Sequence, residues 1–130
     1  MAMTRTDIQD FTQESSLFII SVICDSSGAS DITVVDPAAT AVGGVAKDIL
    51  YIESVEWSCS GSSLLTFSYD INGGTAQKVL ELSGTGSYGI HTKRHIAEPS
   101  AVTIAHTDFT GKILATHTGV ASFILTVRKA

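Results

Sequence analysis

This sequence is short of charge. Asp, Glu, Lys and Arg together make up 16% of its 130 residues, against roughly 25% in an ordinary soluble domain. Solvated charged faces must therefore be few, and the surface has to be covered by Ser, Thr and Gly or by partners. Positive charge is scarcest. Eight Lys and Arg stand against thirteen Asp and Glu, for a net charge of −5. Binding a phosphate backbone requires clustered cations, and the one tight cluster is Lys93-Arg94, flanked by His91 and His95. This balance argues against a nucleic-acid partner. The Arg128-Lys129 pair at the tail reads as an aid to solubility.

Cysteine is nearly missing. Two residues, Cys24 and Cys59, cannot make a disulfide framework. Each sits in an apolar, strand-like run, which predicts two reduced core thiols. The sequence leaves a bridge between them open. Long apolar runs are missing too. The longest, Leu17 to Ile20, is far short of the roughly 20 residues that span a bilayer. Met1 to Thr12 is polar and lacks the apolar centre of a signal peptide. The expectation is a protein made in the cytoplasm, without a membrane partner, that stays there or leaves as part of an assembly.

Sustained helical periodicity is also lacking, and period-2 alternation takes its place. Strands are expected at Ser16 to Asp25, Asp31 to Asp36, Asp48 to Ser60, Ser63 to Asp70 and Thr75 to Leu82. Further ones follow at Tyr88 to His91, Ala101 to His106, Lys112 to His117 and Ala121 to Arg128. Turn signals separate them, among them Ser26-Ser27-Gly28 and Asn72-Gly73-Gly74. In the fourth run Leu65, Phe67 and Tyr69 alternate with Thr66 and Ser68. In the third, Ile49, Tyr51, Val55, Trp57 and Cys59 share a face that reads as core. Eight or nine short strands at this spacing predict an all-β, single-domain antiparallel β-sandwich, jelly-roll-like. The domain is expected over residues 14–130, preceded by a flexible N-terminal arm over 1–13, which has no apolar pattern to anchor it.

Several motifs suggest chemistry and fall short of it. Gly84, Gly86 and Gly89 spell a GxGxxG after a strand, but no helix follows to face a pyrophosphate. They read as a bent, flexible strand corner. His91 and His95 have a spacing that serves zinc on a helix, whereas in a loop it does not converge the rings. With His106 and His117 they read as surface or interface residues. Ser87 lacks the glycine two positions earlier that a nucleophile elbow needs. Asp25, Asp31 and Asp36 do not match a calcium loop and read as turn chemistry. No catalytic, cofactor-binding or metal residue is assigned on this reading, and binding residues are left unassigned.

The order of features carries more than any single motif. A strand ending in Asp25-Ser-Ser-Gly28 leads to Val34-Val-Asp36, then to Asp48-Ile-Leu-Tyr-Ile52 and the Trp57 strand. Phe67-Ser-Tyr-Asp70 and Leu80-Glu-Leu-Ser-Gly-Thr-Gly86 follow. The end reads Thr110-Gly-Lys-Ile-Leu114, Thr116-His-Thr-Gly119 and Ser122-Phe-Ile-Leu-Thr-Val-Arg-Lys129. Over about residues 14–130 this order resembles a family of small virion proteins of tailed phages, especially phages of marine bacteria. Members often carry Trp-Asp where this chain has Tyr69-Asp70, and Asn residues where it has His91 to Glu98. The resemblance implies no catalytic residue. It implies a structural part of the particle, a decoration (cement) protein on the capsid exterior whose partner is the major capsid protein. A homo-oligomer, specifically a trimer, is expected, because closed symmetry is the rule in such assemblies. The alternatives are a head–tail connector or tail component, and a host-surface module that reads glycan through the loop Thr92 to Pro99.

Overall fold

The computed structural model describes residues 3–9, 17–35, 50–72, 74–89, 100, 103, 105 and 109–129. Nine strands lie among them: β1 (Met3–Gln9), β2 (Leu17–Cys24), β3 (Ala29–Val35), β4 (Leu50–Cys59), β5 (Leu64–Ile71), β6 (Gln77–Ser83), β7 (Thr85–Tyr88), β8 (Phe109–His117) and β9 (Ala121–Lys129). They form a five-stranded sheet in the order β1-β2-β9-β4-β7 and a four-stranded sheet in the order β3-β8-β5-β6. Every pairing is antiparallel.

The pairing is nested. β2 pairs with β9, β3 with β8, β4 with β7, and β5 with β6. A long antiparallel hairpin folded over on itself gives this pattern, with β9–β4 and β8–β5 contacts closing the two sheets. That is the eight-stranded jelly roll, and β1 adds a ninth strand beside β2. The expected jelly-roll sandwich is what the chain forms.

Alternation fills the space between the sheets. Ile20, Val22, Leu50, Ile52, Val55, Leu125 and Val127 are buried from one side, and Leu65, Phe67, Tyr69, Ile113 and Ala115 from the other. Phe67 and Phe123 meet edge to face across the sheets, with centroids 5.0 Å apart and planes at 90°, a favoured aromatic geometry. The Tyr69 hydroxyl donates to the Leu50 carbonyl at 2.6 Å, so this fully buried phenol leaves no orphan donor.

Four expectations are corrected. First, part of the arm expected over 1–13 is a strand: Met3–Gln9 pairs with β2, with Met3 opposite Cys24 and buried. A sheet edge supplies backbone hydrogen bonds whatever the side chains, so no apolar pattern was needed. Residues 10–13 lie outside the described residues. Second, the Gly84–Gly89 corner holds β7, bounded by Gly84 (φ 63) and Gly89 (φ 81). Third, the pairing of β4 with β9 shifts between Ile52 and Ser54. Glu53 is the extra residue of a bulge that reverses the faces. Leu50 and Ile52, not Tyr51, therefore join Val55 and Cys59 inside, and Ile49 lies outside the described residues. Fourth, the strand expected over 101–106 lies largely outside the described residues. At its start the Ser100 Oγ accepts the Thr103 N–H at 3.2 Å, a capping bond that extended chain does not make.

Candidate functional site

Most residues weighed for chemistry serve the fold. Gly86 lies under the Trp57 indole, where a Cβ would come within 2.8 Å of Cζ2. The glycine triplet thus serves two bends and one close approach. Trp57 is half-buried against the core, and its Nε1–H donates to the Ser83 carbonyl at 2.9 Å. Leu65 and Phe67 belong to the opposite sheet. The Asp25 carboxylate accepts the Ser27 N–H at 2.9 Å and also the Ser27 hydroxyl, which together hold it below the usual carboxylate range. Asp31 adopts φ 51. Its N–H donates to Thr116 Oγ1 at 2.8 Å, so it belongs to an irregularity in β3. Asp36, His91, His95 and His106 lie outside the described residues. Among those described, no three His, Cys, Asp or Glu side chains converge as metal ligands.

Two further expectations resolve at one end of the sandwich. Cys24 and Cys59 pair with the same residue, Ala121, from either side of β9. Their Cα atoms stand two strand spacings apart, about 9.6 Å, beyond the roughly 7 Å that a disulfide spans. Both thiols are free and buried. Burial first, then the Cys59 thiol and the Asp25 carboxylate, push Cys24 up to about 11. Burial also raises Cys59. His117, read from sequence as a surface or interface residue, is only 2% exposed. Its Nδ1 lies 2.9 Å from the Gly119 carbonyl. A carbonyl only accepts, so Nδ1 carries a proton, and Nε2 is buried with no hydrogen-bond partner among the described residues.

A further feature lies on the outer face of the five-stranded sheet. Register places Ser21, Ile124, Glu56 and Ser87 in one row across β2, β9, β4 and β7. The next row is Ile23, Ser122, Ser58 and Thr85. Ser58 and Thr85 share a hydroxyl hydrogen bond of 3.2 Å. Ile23 is 64% exposed and Ile124 38%. On neighbouring strands at a diagonal, they form one apolar ridge. Sheet twist makes the area a groove of about 510 Å³, lined by Ser21, Ile23, Glu56, Ser58, Ser122 and Ile124 among others. Glu56 is its charge. It has no ion-pair or hydrogen-bond partner among the described residues. Arg128, the basic residue of β9 on this face, is held by Glu53 through two bonds of 3.0 and 2.9 Å. Sequence reasoning missed this face. Ser54, Glu56 and Ser58 signalled it on β4, but only the pairing of β4 with β9 brings Ile124 beside them, and only the pairing of β9 with β2 adds Ile23.

No protein-family model matches the chain, and no curated protein does. Among solved structures, the Cupin_2 domain of an XRE family transcriptional regulator from Enterobacter cloacae is similar over 98% of this chain and 97% of its own, at a TM-score of 0.45 and 12% identity. An HTH_3 family transcriptional regulator from Vibrio cholerae is similar over 99% of this chain, at a TM-score of 0.43 and 7% identity. This chain spans 51% of that regulator's length. A protein of Bacillus endospore appendages, described as disulfide-linked pili, is similar over 99% of this chain and 88% of its own, at 0.38 and 12%. All three TM-scores are below 0.5, and the jelly-roll assignment rests on strand pairing.

Proposed function

We propose that this chain is a non-enzymatic structural protein of a tailed-phage virion. In this reading it is a decoration (cement) protein, binding as a trimer across subunits of the major capsid protein on the capsid exterior. The observation that carries it is the outer face of the five-stranded sheet: hydroxyls and exposed isoleucines on a rigid frame whose interior is filled with side chains. Such a face suits docking, because strands hold it fixed and little order is lost on binding. Its size also fits. Five strands of about eight residues cover roughly 650 Å² by strand spacing and rise, or about 1,300 Å² for both partners, within the range of specific interfaces. The order of features along the chain supplies the phage setting.

Purified particles of the phage that encodes the chain test the reading. The expected result is many copies in fixed ratio to the major capsid protein, with density on the head exterior that vanishes when the protein is left out. A few copies confined to the portal vertex would overturn it in favour of a connector. Absence from the particle, with glycan binding by the isolated chain, would overturn it in favour of a host-surface module.

A further inference from the structure

We propose that the groove on the outer face takes an extended segment of the capsid partner that presents an apolar side chain beside a lysine or arginine, with Glu56 as its counter-ion. This rests on the docking role argued above and names the chemistry of that same face. Three observations carry it. Glu56 stands in the row with Ser21, Ile124 and Ser87, and among the described residues the sheet provides it with no cation, since Arg128 is committed to Glu53. Its cross-strand neighbour is Ile124, which is followed diagonally by Ile23. A carboxylate beside apolar side chains gains more from a partner's cation once water is displaced, because the local dielectric falls. Among the other lining groups, Ser21, Ser58, Thr85 and Ser122 offer hydroxyls that both donate and accept, which suits the main chain of an extended segment. Apolar contact then provides adhesion, and the single carboxylate provides choice of partner and register.

The test uses two synthetic peptides, one of alternating valine and lysine and one with glutamate replacing lysine, titrated to millimolar into the isotopically labelled protein. The lysine peptide is expected to shift the backbone amide signals of Ser21, Ile23, Glu56, Ser122 and Ile124, and the glutamate peptide to leave them in place. Glu56→Gln should weaken the lysine peptide about threefold, the worth of an exposed ion pair. Glu56→Lys should reverse the preference. Equal binding of both peptides, shifts centred away from these residues, or no shift at all would overturn the proposal. Unchanged Trp57 fluorescence checks the fold of each variant. Particles lacking the protein separate this from the broader reading. If wild type and Glu56→Lys restore heat stability equally, the groove chemistry is wrong and the cement role stands. If neither restores it, the cement role falls, and the peptides still decide the groove.

Discussion

His117 carries two opposite hydrogen-bonding situations on one ring. Nδ1–H closes onto the Gly119 carbonyl in the turn between β8 and β9, while Nε2 is buried with no partner among the described residues. An amide whose NH₂ reaches the Gly119 carbonyl keeps the first, and one whose NH₂ does not loses it. Asn places its NH₂ near the Nδ1 position, and Gln reaches toward Nε2. His117→Asn is therefore expected to exceed His117→Gln in stability by about 1 kcal/mol, the worth of one buried hydrogen bond. Urea denaturation measures the difference, and equal midpoints would mean that the bond to the Gly119 carbonyl contributes nothing to stability. Cys24 makes a second, pH-dependent contribution. Its thiol is pushed up to about 11, so the native state keeps a proton that the unfolded chain loses in the ordinary thiol range near 8.5. Fewer protons on the unfolded chain mean that stability falls as pH rises across that window. Cys24→Ala should flatten the decline, and thermal melts from pH 8 to about 11 would show it. The reduced core thiols were legible in sequence, because each sits in an apolar run. The burial of His117 was not, because a histidine two residues before a turn glycine gives no sign of which way its ring faces.

At the scale of the element, the edges of the two sheets differ in how they are guarded. β6 carries the Lys78–Glu81 ion pair at 3.0 Å, β3 is bent at Asp31, and β7 is four residues long. Charge, irregularity and shortness each discourage pairing with another chain. β1 covers the edge of β2, whose Leu17–Cys24 sequence LFIISVIC would otherwise lie open. Deleting residues 1–9 is expected to lower stability by about 1.5–3 kcal/mol from the loss of Met3 burial alone, and to make the protein self-associate through β2. Denaturation midpoints and sedimentation read the two effects. An unchanged midpoint and a monomeric product would mean that β1 contributes nothing to the sheet. Alternation in sequence located most of β4, β5, β8 and β9, since inward residues there are mostly apolar and outward ones mostly polar, and β2 stood out as a short, nearly continuous apolar run. It missed β1, which has little apolar alternation, and misassigned half of β4. A single bulge residue, Glu53, shifts the phase, and leaves no mark in a two-residue repeat.

At the scale of the molecule, the sandwich class was legible and the strand partners were not. Periodicity says that a segment is extended, whereas Leu17 finds Arg128 at the other end of the chain only through the fold. That closure places Ile23 and Ile124 beside Glu56 and creates the one face on which the proposed role depends. A cement acts through linkage. Each copy binds the mature shell better than the unexpanded or broken one, and the shell gains RT ln(1 + [L]/Kd), about 2.7 kcal/mol per site at a hundredfold excess over Kd. Many sites on one particle make this modest gain decisive against internal DNA pressure. The temperature of DNA release should therefore rise with added protein until the sites fill, and then stop rising. Salt distinguishes the kind of contact. Exposed charges are screened beyond about 8 Å at physiological ionic strength, so a clamp built on many ion pairs would fail at high salt. A face with hydroxyls, two isoleucines and one uncompensated carboxylate should lose only a small part of its affinity, as a single ion pair does. Titrating depleted particles with purified protein at low and high salt measures both quantities. A release temperature that stays constant under saturating protein would sink the cement role. A gain abolished by salt would instead move the contact away from this face to a charged surface elsewhere on the chain.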